Sequence, residues 1–144
     1  QVDYGGWDMH NDVAGSMAGK APALDQALSA LIRDLDSSGL LNETLIVLAS
    51  EFGRSPAINQ NAGRDHHPAA FSYVLAGAGV KGGAVYGKSD EKGHGIDEDP
   101  VGITDFNSTI TVACGLDPNK EHFAPNGRPF KIGGGGDPIY DVLS

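Results

Sequence analysis

The chain has 144 residues and a mass of 14.9 kDa, with 10 Lys+Arg against 19 Asp+Glu, a net charge of −9 and a pI near 4.7. That length suits one domain, residues 1–144, able to bury roughly 70% of its unfolded surface and hold a core without a disulfide or metal staple. The acidic balance, with no Lys/Arg cluster to neutralise phosphates, excludes nucleic acid and anionic membrane surfaces as partners and leaves metal ions as the charged partners.

Cys114 is the single cysteine, which excludes an internal disulfide and a Cys-based zinc site. The apolar runs from Leu45 to Ala49 and Phe71 to Ala76 are too short for membrane insertion, and no signal-peptide pattern is present. A start at Gln1 is what a mature or excised piece of a longer protein shows. No linker or internal repeat interrupts the chain.

The first helix is predicted from about Pro22 to Ser38, where Leu24, Leu28, Leu31, Ile32 and Leu35 share one face, Pro22 suits a first turn and Gly39 a stop. The run Thr44 to Ser50 reads as a buried strand of the parallel type, with Glu51 just past its end. Phe71 to Ala76 is a second strand. The loop of about 20 residues between them carries Arg54, Arg64, Asp65, His66 and His67, and a connection that long is usually functional. Gly82 to Gly87 reads as an edge strand or hairpin, and Ser89 to Asp99 as a polar, mobile loop. A second helix is predicted over Asp105 to Cys114 with Thr104 as its cap. Phe106, Ile110 and Cys114 form its apolar face, Cys114 as a small buried hydrophobe. The tail from Pro118 is loop-rich, with Gly133 to Gly136 flexible and a short turn over Ile139 to Leu143. Helix, strand, loop, strand and helix in this order indicate an α/β layered domain.

Three clusters carry chemistry. Asp8 and His10 stand two residues apart, so in an extended segment a carboxylate and an imidazole converge on one cation. The same triplet also serves turn hydrogen bonds or helix caps. Glu51 at a strand end is placed to reach a metal, and Arg54 to meet an anion bidentately, unless the two form an ordinary surface pair. Asp65, His66 and His67, between a glycine and a proline, offer the O and N ligands that zinc and its neighbours take. There one imidazole faces inward and the other hydrogen-bonds behind it; a solvated His-His turn is the alternative. His94 and His122 read as solvated histidines, Trp7 as packed beneath the Asp8 loop, and Asp97 to Asp99 as a solvated acidic run.

Taken in order, Gly5-Gly6-Trp7-Asp8-x-His10, the Leu24-Asp25-Gln26-Ala27-Leu28 helix, Glu51-Phe52-Gly53-Arg54-Ser55-Pro56 and Gly63-Arg64-Asp65-His66-His67-Pro68 resemble a bacterial sulfatase-like family, domain of unknown function 1501. That family is similar to the C-terminal part of the alkaline phosphatase and sulfatase superfamily. The resemblance covers nearly the whole chain. It implies an α/β fold, a mostly parallel sheet flanked by helices, with metal ligands at strand C-termini. It assigns metal-ligand roles to Asp8, His10, Glu51 and His66 or His67, with Asp65 a further candidate. Superfamily members place His directly after the strand-end carboxylate, whereas Phe52 follows Glu51 here. The resemblance further implies a nucleophilic Thr, Ser or modified Cys from a region ahead of Gln1, and a periplasmic or secreted location.

The leading expectation is a hydrolase of phosphate or sulfate esters dependent on a divalent metal ion (zinc, manganese or calcium), with anionic small molecules or glycan esters as substrates. Arg54 or Arg64 would steady the anion. A two-metal arrangement with ions roughly 4 Å apart would draw on most of the carboxylates and histidines. The competing expectation is a non-catalytic sulfatase-like module that binds metal and anionic glycans or a cell-surface partner; a structural fragment without activity is the third. An open sheet edge also suggests a homodimer.

Overall fold

Asp12 starts the first helix well before the proline that the sequence suggests. Its φ of 40° turns the chain in the left-handed region, and its Oδ1 accepts from Gly15 N at 3.1 Å, capping α1, Val13–Ser37. The computed structural model describes all 144 residues, Gln1 to Ser144. Pro22 lies inside α1. The helix continues through it because proline removes one N–H without forbidding the helical φ. Val13, Leu24, Leu28, Ile32 and Leu35 form the half-buried stripe of α1, while Leu31 stays exposed. Ser38 Oγ donates to Asp34 O at 2.8 Å and Gly39, at φ 77°, turns the chain out of the helix.

A 3-10 turn, Leu40–Glu43, leads into β1, Leu45–Leu48. The short strands β2, Gly53–Arg54, and β3, His66–His67, come next, and then β4, Val74–Gly77. A hairpin of β5, Lys88–Ser89, and β6, Ile96–Glu98, precedes α2, Ile103–Ala113. The tail holds β7, Glu121–Phe123, β8, Pro129–Lys131, and a last 3-10 turn, Tyr140–Val142. Gly82 to Gly87 forms no strand, and the loop expected over Ser89 to Asp99 contains the hairpin.

The sheet corrects the expected fold class. In place of a mostly parallel sheet flanked by helices, the strands form four two-stranded antiparallel ladders: β1 with β4, β2 with β3, β5 with β6 and β7 with β8. A continuous apolar run does not fix strand direction. No helix lies between β1 and β4, so there is no crossover to bring the chain back parallel. Nor are these strands covered on both faces: Val47 is 39% and Val74 51% exposed.

The expected self-sufficient core is also absent. Met9 and Phe106 are the only buried hydrophobic residues, and the accessible surface is 9609 Å², where a compact monomer of this mass has roughly 7,000 Å². Around Phe106, Tyr73 stacks at 4.3 Å between ring centroids. Gly102, not Thr104, caps α2, with Asp105 Oδ2 accepting from Gly102 N at 3.0 Å. Cys114 is exposed at the helix end. Small polar residues on α2 tie down the tail: Ser108 Oγ donates to Gly136 O at 2.8 Å, and Thr109 Oγ1 donates to Asp105 O at 2.7 Å while accepting from Ile139 N at 2.9 Å.

Replacing Thr109 by Val therefore removes the acceptor for a main-chain N–H at a buried position at constant volume, and should lower stability by about 1–2 kcal/mol. Urea unfolding would read this as a lower midpoint at unchanged slope, with Thr109→Ser close to the parent.

Candidate metal centre

The N-terminal residues run without regular structure up to the cap of α1, and loop 59–65 folds over their end. Asp12 N donates to Asn61 O at 3.0 Å, Val13 N to Ala62 O at 2.8 Å and Arg64 N to Met9 O at 2.9 Å. Asn59 organises the loop from inside. Its Oδ1 accepts from Asn61 N and Gly63 N, both at 2.9 Å, the Asx geometry that short amide side chains favour. Its Nδ2 donates to His10 O at 3.1 Å and to Asp65 Oδ1 at 2.9 Å. Gly63 is required by close approach: a Cβ there would lie 2.0 Å from the His10 carbonyl carbon.

The loop leads directly into β3, where Arg54 pairs with His66 and Gly53 with His67. Adjacent strand residues face opposite ways, and the two imidazoles do so here. His66 turns to the N-terminal segment, its Nε2 2.9 Å from Asp8 Oδ1. His67 turns away and its Nε2 donates to His94 O at 2.8 Å.

Asp8, His10 and His66 thus supply one ligand atom each to a common point, all within 4.8 Å of one another. His10 Nε2 stands 3.0 Å from Asp8 Oδ1 and 3.2 Å from His66 Nε2. The three side chains are 40%, 55% and 47% exposed for His10, Asp8 and His66, so solvent reaches them.

The other expected residues surround this cluster without joining it. Arg54 donates from Nη1 to Asp8 Oδ1 at 2.5 Å and from Nη2 to Glu51 Oε1 at 2.7 Å, so Glu51 faces the guanidinium and not the histidines. Asp65 sits behind His10, its Oδ1 3.0 Å from Nδ1. Arg64 donates to the carbonyls of Ser55 at 2.6 Å and Pro56 at 2.9 Å, which makes it a clamp on the β2 exit. Phe52, at the position where the resemblance leads one to expect His, packs its ring 4.7 Å from His66 and lies 5.4 Å from the Arg54 guanidinium carbon. Asn59 is the residue that sequence reasoning missed. Its position in Asn59-Gln60-Asn61-Ala62-Gly63, a run of turn formers, is the signal that could have found it.

A cavity of about 850 Å³ opens beside Asp8, lined among others by Tyr4, Trp7, Phe52, Arg54 and Arg64. Trp7 is half-buried, meets Tyr4 edge-on at 5.5 Å, and shares with it the Lys20 ammonium, which also donates to Gly5 O at 2.8 Å. The lining therefore mixes aromatic and charged side chains.

Two carboxyls of this site are held below their ordinary range. The His66 hydrogen bond first, then the Arg54 one, lower Asp8 against an opposing desolvation. For Asp65 the Asn59 hydrogen bond comes first and the His10 one second. Both carboxylates are therefore hydrogen-bond acceptors in their ionised form.

A family model described as "Protein of unknown function (DUF1501)" matches residues 1–143. Neither a curated protein nor a solved structure matches the chain.

Because the folded values of Asp8 and Asp65 lie below the ordinary 3.8, their ionised contacts stabilise the fold fully above pH 3.8, and that contribution is lost as pH falls through the folded values. Carbon-detected NMR titration should place both carboxyl midpoints below 3.8, and His66→Ala should return Asp8 toward it. An Asp8 midpoint at or above 3.8 in the parent chain would contradict the contacts described. Gly63→Ala should destabilise the fold by about 3 kcal/mol, since the methyl group meets main chain and not a movable side chain; thermal melts read this directly.

Proposed function

As the chain belongs to the DUF1501 family of proteins of unknown function, we propose that it carries a metal-dependent hydrolase centre for phosphate or sulfate esters, related in its chemistry to the sulfatase-like superfamily. The observation that carries the reading is the convergence of Asp8 Oδ1, His10 Nε2 and His66 Nε2 on one point. Their separations of 2.9, 3.0 and 3.2 Å are near the roughly 3.3 Å between ligands around a tetrahedral zinc with bonds of about 2.0–2.1 Å. Two imidazoles and one carboxylate are also the donor set of hydrolytic zinc sites, which keep a position open for water or substrate. The donor set thus fits a borderline divalent ion such as zinc or manganese better than calcium, which takes oxygen ligands.

A bound ion of this kind polarises an ester oxygen and lowers the pKa of water. The chain's own residues supply the rest. Asp8, His10 and His66 hold the ion, while Glu51 and Asp8 aim the Arg54 guanidinium at the cavity beside them. An incoming anionic ester exchanges one of those carboxylate contacts for its own oxygens, which a guanidinium meets in the same fork geometry. Trp7, Tyr4 and Phe52 supply an aromatic part of the cavity lining. A binding-only reading, in which the chain captures metal and anionic glycans without turnover, is favoured by Phe52, which follows Glu51 where superfamily members carry His and packs against His66.

Elemental analysis of the dialysed protein after incubation with zinc or manganese should find about one equivalent, lost in Asp8→Ala, His10→Ala and His66→Ala and kept in Glu51→Ala. Hydrolysis of p-nitrophenyl phosphate or p-nitrophenyl sulfate, assayed on the full-length protein because the resemblance implies a nucleophile ahead of Gln1, should require the metal and fall at least about 100-fold in His66→Ala. Metal without hydrolysis selects the binding-only reading. A chain that retains no metal overturns both.

A further inference from the structure

We propose that Asp65, itself held by Asn59, is the positioning residue that fixes His10 as its Nδ1–H tautomer and so turns the Nε2 lone pair toward Asp8 and His66. The inference rests on the metal-centre reading above and says which group prepares one of its ligands.

The argument is one of proton placement. An ionised carboxylate only accepts hydrogen bonds, so the 3.0 Å contact between Asp65 Oδ1 and His10 Nδ1 puts the ring proton on Nδ1. A neutral imidazole then carries its lone pair on Nε2. That atom faces Asp8 Oδ1 at 3.0 Å, a second acceptor, and His66 Nε2 at 3.2 Å. When the His10 ring is neutral, Asp8 and His10 present two lone pairs to each other, and a single proton on His66 can point at only one of them. Such an arrangement is prepared for a cation.

Geometry also separates Asp65 from the ligands proper. It lies on the Nδ1 side of His10, with the ring between its carboxylate and the point where Asp8, His10 and His66 converge. The Asp65 side chain is 60% exposed, so packing does not hold it. Asn59 does. One amide nitrogen donates at 2.9 Å to the same oxygen that faces His10 and at 3.1 Å to the His10 carbonyl, gripping the carboxylate and the main chain it must address. The amide oxygen is fixed in turn by Asn61 N and Gly63 N. A carboxylate that orients a metal-binding histidine through its far nitrogen is a recurring device, and its loss weakens metal affinity about 10–100-fold.

The test uses the whole chain with nitrogen-15-labelled histidine at pH 8, first metal-free and then titrated with zinc by calorimetry. His10 should be an Nδ1–H tautomer in the parent, shift toward Nε2–H in Asp65→Ala, and bind zinc about 10–100-fold more weakly there. Asp65→Asn, which keeps an acceptor oxygen but no charge, should keep the tautomer and fall between the two in affinity. Asn59→Ala should move both readouts in the direction of Asp65→Ala. An unchanged tautomer or an unchanged zinc affinity in Asp65→Ala overturns the proposal while leaving the metal centre standing. If Asp65→Ala does not fold, severalfold weaker zinc binding in Asp65→Asn supports it and equal binding overturns it. If the parent binds no zinc, the metal-centre reading fails and the His10 tautomer in the metal-free chain alone decides the role of Asp65.

Discussion

A backbone carbon 2.0 Å from where a side chain would begin leaves room for one residue type, and Gly63 fills that position against His10. The close approach lets loop 59–65 bond to main-chain groups on both sides of His10, and those bonds bring two distant parts of the chain together. Asn59 adds its side chain to the same junction. From this docking follow the direction of His10, the placement of Asp65 behind it and the entry of the chain into β3, where His66 turns to Asp8.

The electrostatics of the junction are built from few groups. Asp8 Oδ1 has three nitrogens around it, from Arg54, His66 and His10. Arg54 is shared with Glu51, so one guanidinium holds two carboxylates apart and in place. In a protein with a net charge of −9, this is a spot where negative charge is locally answered by fixed positive charge. An anion that reaches the cavity therefore meets Arg54 and, in the proposed loaded state, a divalent cation, although the protein as a whole repels it at long range.

Part of this arrangement is legible in the sequence. The amphipathic spacing of Leu24, Leu28, Ile32 and Leu35 marks α1, and the final turn falls where Ile139 to Leu143 suggests. The start of α1 was hidden because Pro22 fits a first turn as well as an interior position, while the working cap, Asp12, depends on a left-handed φ that composition does not reveal. Strand direction was illegible for a different reason. An apolar run such as Thr44 to Ser50 marks a strand but neither its direction nor its burial; its pairing with β4 is set by what the intervening loop does, and Val47 stays exposed. At the site, the spacing of Asp8 and His10 and the His66-His67 pair carried real information, because alternation in an extended segment decides which side chains share a face. Alternation alone could not assign Asp65 or Glu51. Their places depend on Asn59 and Arg54, near neighbours in sequence whose side-chain contacts are set by the fold of the loop and not by strand alternation.

The two proposed imidazole ligands stand 56 residues apart in sequence. An ion held by both cross-links the chain as a disulfide would, and removing the freedom of a loop that long from the unfolded state is worth about 4 kcal/mol. For a protein whose buried hydrophobic residues are Met9 and Phe106 alone, that is comparable with the whole stability of a small domain, roughly 5 kcal/mol. The ion would then act as a rivet as well as a reagent, and a chain stripped of it would be shorter-lived before it was inactive.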